Sequence, residues 1–201
     1  MGKEEILKKV QEYIKVTFQE ECTGHDYYHT ERVVNNARKI LQAEYADSFL
    51  VELAAWLHDV GDYKLNNGID KSDELIRMFM NSIQVDQQTT DRVIEIVSQV
   101  SFSKANKPTS IEAMIVQDAD RLDAIGAIGI ARCFAYGGSK GRMIYSTEDK
   151  EKAASSIQHF YDKLFKLKDM MHTETARKIA EQRHLFMEQY INEFYEEMDK
   201  G

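Results

Sequence analysis

Apolar residues recur at the three- and four-residue spacing of a helix along almost the whole chain, and a single proline, Pro108, is present to break it. Ten glycines in 201 residues leave little material for the many tight turns that a strand-rich fold needs. Long helices are therefore favoured over short strands. Ile6, Val10, Tyr13, Ile14 and Thr17 mark a first amphipathic helix, and Val33, Ala37, Ile40 and Leu41 a second. A third runs from Ser48 to Asp59 and stops in the turn Val60-Gly61-Asp62. Leu75, Ile76, Phe79 and Met80 indicate a short fourth helix, and Val93, Ile94, Ile96, Val97 and Val100 a fifth.

Residues 101–108 are polar and loop-like. Thr109 followed by Glu112 has the spacing of a capping box, which predicts a sixth helix through Asp118, Asp120 and Asp123 to Ile130. Apolar on nearly every side (Ile115, Val116, Leu122, Ile125, Ile128), such a helix belongs in the centre of the molecule. Gly126 and Gly129 within it require closely packed neighbours. Tyr136 to Arg142 reads as a glycine-rich loop bearing two cations, followed by long helices over 147–171 and 173–198. No repeat, low-complexity run or linker divides the chain. The expectation is an all-α, single-domain bundle of about seven to nine helices.

The net charge of −8 argues against a nucleic acid polymer as partner, since neutralising phosphates takes an excess of Lys and Arg. A small anion remains compatible, because a metal and a few local cations can set the field inside a pocket. Cys22 and Cys133 form no CxxC pair. The first residues lack the apolar core of a signal peptide, and no stretch reaches the ~20 apolar residues that span a bilayer. The protein is expected to be cytoplasmic and free of membranes.

Three groups of residues carry candidate chemistry. His29 shares a helical face with Val33, Asn36, Ala37 and Ile40, and His58 shares one with Val51, Ala54 and Leu57, so both point inward. Asp59 follows at once, and an ionised carboxylate beside a buried imidazole is costly unless a charge compensates it. A divalent cation does so directly. Histidine with carboxylate is a mixed nitrogen–oxygen set suited to Mn²⁺, favoured here, or to Fe²⁺, Ni²⁺, Co²⁺, Mg²⁺ or Zn²⁺. The third group is Gln117-Asp-Ala-Asp-Arg-Leu-Asp123, three acids on an otherwise apolar helix. Spacing does not choose among Asp118, Asp120 and Asp123.

His29, then His58-Asp59, then Ala119-Asp120-Arg-Leu122 resembles the H…HD…D signature of the HD-domain metal-dependent phosphohydrolase superfamily. The longer stretches Gly24–Val33, His58–Lys64 and Gln117–Gly126 resemble its compact single-domain bacterial branch. The motif-bearing part is about residues 20–135, with helices over about 147–198 completing the core. The resemblance implies one metal held by His29, His58, Asp59 and Asp120, the Asp that precedes x-Leu, with Asp118 and Asp123 orienting the ligands. Members with two metals use extra histidines between the HD pair and the last Asp; none lies between His58 and His159 here. A mononuclear site is expected.

Asp62 lies where related hydrolases place an acid that activates water, although a turn aspartate after Gly61 is the other reading. Arg32, one turn from His29, and Lys64 are placed to hold a phosphate, or are surface cations. Lys104, Lys107, Lys140 and Arg142 lie on loops, His25 and Asp26 belong to the motif without being ligands, and His159, His172 and His184 are read as structural. The implied activity is hydrolysis of a small phosphorylated substrate of nucleotide type, releasing pyrophosphate from a nucleoside triphosphate or phosphate from a monophosphate. The alternative is a non-catalytic nucleotide-binding or regulatory module that keeps the metal site.

Overall fold

Helix α3, Ser48–Leu57, buries seven of its residues, Leu50, Val51, Leu53, Ala54, Ala55, Trp56 and Leu57, and the first part of the fold is organised around it. A computed structural model describes residues 1–19, 26–63, 68–100 and 107–199. Among them are ten α-helices, one 3-10 helix and no strand. The all-α expectation holds, with one helix more than the upper end expected. The chain falls into two compact units, Met1–Asp120 and Arg121–Gly201. No helix among the described residues is long and apolar enough to cross a membrane.

In the first unit α1 (Lys3–Thr17), α2 (Tyr27–Leu41) and α5 (Gln87–Ser98) pack on α3, and α4 (Ser72–Ser82) packs on α5. Each large α3 side chain taken out of water stabilises the fold by roughly 1.5–3 kcal/mol. Tyr13 stacks on Phe79 with ring centroids 4.0 Å apart. The Asp47 carboxylate caps α3, accepting from the Phe49 and Leu50 N–H groups at 3.2 and 3.3 Å. Helix α3 ends at Leu57, two residues short of the expected Asp59, and His58 and Asp59 enter the turn.

Helix α6 (Ile111–Asp123) is capped by Ser110 and not by Thr109: the Ser110 hydroxyl accepts from the Ala113 N–H at 3.1 Å. Thr109 is engaged elsewhere, its N–H and hydroxyl both donating to Gln99 Oε1. Glu112, expected to close the capping box, accepts instead from the Asp47 N–H. Residues 115–119 and 121–123 of α6 are all buried, and Ile115, Leu122 and Ile125 are at most 1% exposed.

In the second unit, α7 (Gly126–Ser139) and the 3-10 helix Leu164–Met170 pack on α10 (Glu174–Asp199), with α8 (Asp149–Ala153) and α9 (Ser156–Asp162) beside them. The helix expected to run to Ile130 breaks at Ala124–Ile125. Ile125 is extended, and Gly126 takes φ +79°, a conformation that L side chains resist. Ile128 is consequently exposed. The expected Tyr136 loop is helical through Ser139, because Gly137 lies so close to Ser156 that a β-carbon would come within 2.3 Å of its hydroxyl. The span expected as one helix over 147–171 is three pieces: the Ser155 hydroxyl caps a new start by accepting from the Gln158 N–H, and Lys163 departs from helical dihedrals. On α10 the buried positions are Ala176, Ala180, His184, Met187 and Ile191, while Phe186 is exposed.

Gly129 makes the break between α6 and α7 possible, since a β-carbon there would stand 2.3 Å from the Ala124 carbonyl oxygen. Alanine would raise helix propensity at this position by about 1 kcal/mol, so the two effects oppose each other. The backbone clash should win. Gly129→Ala is expected to lower stability by about 1–3 kcal/mol in urea unfolding, and a neutral or stabilising change would contradict this account of the turn.

Candidate metal centre

The first unit brings two histidines and two acids to one point. His29 is the third residue of α2, and the Asp26 carboxylate caps that helix by accepting from the His29 N–H at 2.7 Å. The cap thus fixes the backbone from which the imidazole projects, and the ring is fully buried. His58 caps the C-terminus of α3, and its Nδ1 lies 2.8 Å from the Ala55 carbonyl oxygen. A carbonyl accepts only, so Nδ1 carries the proton and neutral His58 presents a bare Nε2 lone pair. That second nitrogen faces His29 Nε2 at 3.3 Å.

Carboxylates meet the same two nitrogens. Asp59 Oδ2 stands 3.3 Å from His29 Nε2 and 3.4 Å from His58 Nε2. Asp120 Oδ1 stands 3.6 and 3.9 Å from them. Ligand atoms of His29, His58 and Asp120 all lie within 4.8 Å of one another. Metal–ligand bonds of ~2.1 Å put neighbouring donors about 3 Å apart and opposite ones about 4.2 Å apart, so these separations suit a single ion. The Asp59 side chain is 9% exposed and that of Asp120 30%, which opens the cluster on the Asp120 side.

The turn that delivers Asp59 depends on Gly61. It adopts φ +74°, and its carbonyl accepts from the Lys71 N–H at 2.9 Å. A β-carbon there would meet the Lys71 carbonyl carbon at 2.6 Å. Within this turn the Asp62 N–H donates to the Asp59 carbonyl at 3.2 Å, and the Asp62 side chain is buried. Arg32 lies on α2 one turn beyond His29, half-buried. Lys64 lies outside the described residues, as do His25, Cys22 and Lys104.

Asn36 carries a contribution that sequence reasoning passed over. Its side-chain amide, nearly buried, donates to the Ala119 carbonyl at 3.1 Å, bonding α2 to the residue before Asp120. Its place seven residues after His29, on the same helical face, was the available signal. Gln117 similarly donates to the Gln99 carbonyl at 2.7 Å. Asp118 is fully buried. In the second unit Asp123 forms an ion pair with Arg132 at 2.8 Å, and Arg121 and Arg183 donate to the Met170 and Leu122 carbonyls. Asp123, expected among the groups orienting the ligands, is thus held by an arginine.

The model of the HD domain family matches residues 26–125. The Bacillus subtilis (strain 168) protein YpgQ is 42% identical over 190 residues, covering 92% of this chain and 90% of its own. The crystal structure of Bacillus subtilis YpgQ in complex with ADP superimposes with a TM-score of 0.79 at 42% identity, over 93% of this chain and 97% of that one. An HD-superfamily hydrolase from Bacillus thuringiensis is 38% identical with a TM-score of 0.82, covering all of both chains.

The Arg132–Asp123 pair supplies a test of the assignment of Asp123. Its carboxylate is 2% exposed, so removing the arginine leaves a buried charge short of a partner. Arg132→Met is expected to cost roughly 2–3 kcal/mol in urea unfolding, below the largest effects because the guanidinium is partly solvated. Adding Asp123→Leu should recover part of the loss. Bound metal per chain should stay unchanged in both variants, and loss of metal would return Asp123 to the ligand shell.

Proposed function

The chain belongs to the HD-domain superfamily, and from that premise we propose that it is a metal-dependent phosphohydrolase of small phosphorylated substrates, nucleotides in particular. The observation that carries this reading is the convergence of two imidazole nitrogens and two carboxylate oxygens on one partly open point. ADP bound to YpgQ supports the nucleotide as substrate class. The reaction is release of pyrophosphate from a nucleoside triphosphate or of phosphate from a monophosphate.

His29, His58, Asp59 and Asp120 hold one divalent ion, Mn²⁺ first among the candidates. When bound, that ion supplies Lewis acidity for the phosphoryl group and for the attacking water. The remaining work falls to side chains. Asp62 takes the proton of the attacking water, having been carried beside Asp59 by the Gly61 turn. Arg32 holds two phosphoryl oxygens through its guanidinium fork, and Lys64 adds a point charge to the same anion. The Ala55 carbonyl, accepting from Nδ1–H, orients the His58 ring so that Nε2 is turned to the ion.

A nucleotide screen supplemented with each divalent metal, reporting phosphate and pyrophosphate separately, tests the activity directly; no turnover with any metal would end the reading. Ligands and catalytic groups separate by mutation. Asp59→Asn should lose metal and activity together. Asp62→Asn should keep both metal and substrate binding while kcat falls ~10²–10⁴-fold, the usual contribution of a positioned base. Arg32→Ala should chiefly raise KM. Wild-type kcat in metal-saturated Asp62→Asn would return Asp62 to a turn residue.

A further inference from the structure

The C-terminal end of α7 carries two cations with no ion-pair partner among the described residues, set around a cavity. Gly141 takes φ +66°; its N–H donates to the Gly138 carbonyl at 3.1 Å, and the Arg142 N–H donates to the Gly137 carbonyl at 2.8 Å. This pair of bonds is a Schellman closure, and it turns the chain back along the helix. Lys140 Nζ comes to 5.7 Å, and the Arg142 guanidinium carbon to 6.0 Å, from the centre of the Tyr136 ring. Gly137 leaves room for the arginine stem, since a β-carbon there would already stand 3.6 Å from Arg142 Cδ. The adjoining cavity, of about 400 Å³, is lined by Lys140, Gly141, Arg142, Met143, Glu151 and Ala154.

Arg142 stands apart from the other arginines. Arg38, Arg77, Arg92, Arg132 and Arg177 each reach a carboxylate, and Arg121 and Arg183 bond to carbonyls. The Arg142 guanidinium, on a half-buried residue, makes neither a hydrogen bond nor an ion pair among the described residues, in a chain with 34 acids and 26 bases. Glu151 also lines the cavity; its Oε2 accepts from the Ser146 hydroxyl at 2.9 Å, and it forms no ion pair with either cation among the described residues. Its charge and the negative end of α7, roughly half a charge, together remain less than the two cations carry. The field reaches His159, which burial, Lys163 and Arg142 together hold below its ordinary value.

We propose that Lys140 and Arg142, braced on Tyr136 at the end of α7, form a binding site for a phosphate-bearing anion. A guanidinium fork matches two oxygens of one phosphate, and the ammonium takes an oxygen of a second. A diphosphate group uses both cations at once; a monocarboxylate uses one. None of the metal-cluster residues takes part, so the site stands or falls independently of the proposed hydrolysis.

The probe is inorganic pyrophosphate titrated by calorimetry into the metal-stripped full-length protein. One-to-one binding is expected, at least about tenfold weaker in Arg142→Gln, as loss of a charge-assisted fork predicts. It should be lost in Lys140→Gln/Arg142→Gln. Lys9→Gln/Lys15→Gln removes the same charge from exposed α1 positions and should leave the affinity unchanged. Arg142→Lys keeps the charge without the fork and should bind a few-fold more weakly than wild type, which holds the test open if the glutamine variant misfolds. ADP titrated in parallel identifies the source: equal affinity marks the phosphates alone as the recognised group, and tighter ADP marks a nucleotide. Absence of pyrophosphate binding to the wild type, wild-type affinity in the double variant, or equal weakening in the Lys9/Lys15 control would each overturn the proposal.

Discussion

Two imidazole nitrogens 3.3 Å apart, each within 4 Å of both carboxylates, with three of the four side chains almost fully buried, form a set that cannot rest on its own. Moving an ionised carboxylate out of water costs several kcal/mol unless opposite charge or hydrogen bonds repay it. Two imidazole nitrogens 3.3 Å apart cannot both carry protons comfortably. A divalent cation answers both difficulties at once, and the helices around the cluster hold the donors in place for it.

That holding is done largely by backbone groups. The Asp26 cap sets where α2 begins and so where His29 projects. The Ala55 carbonyl selects the His58 tautomer. The Gly61 carbonyl and its left-handed backbone tie the Asp59–Asp62 turn to Lys71. Asn36 fixes α2 against α6 next to Asp120. In the second unit Arg132 and Arg183 meet Asp123 and the Leu122 carbonyl at the end of α6, and Arg121 meets the Met170 carbonyl at the end of the 3-10 helix, where a helix C-terminus leaves carbonyls unsatisfied and favours positive charge.

Much of the first unit was legible because its helices are amphipathic and simply bounded. The periodicity of Ile6, Val10 and Ile14, or of Val33, Ala37 and Ile40, leads directly to buried faces. Errors concentrate where two local signals compete. Thr109 and Ser110 are both good caps, and Gln99, distant in sequence, decided between them by engaging Thr109. The apolar run from Ile115 to Ile130 is helical by pattern, yet Gly126 and Gly129 let it break at Ala124–Ile125. Glycines at 137 and 138 look like a loop until the approach of Ser156 gives Gly137 a packing role.

By itself the sequence determined the fold class, the inward faces of His29 and His58, and the presence of acids that a buried helix has difficulty accommodating, since periodicity and desolvation cost are properties of the chain read locally. Choosing among Asp118, Asp120 and Asp123 was beyond it, because residues two and three apart on one helix point in different directions and only a neighbouring element shows which direction is the site. The tertiary structure decided that: Asp120 faces the imidazoles, Asp118 is buried, and Asp123 meets Arg132. It also decided that Arg142 has no acidic partner among the described residues, because pairing depends on distances between segments far apart in sequence, which composition cannot express.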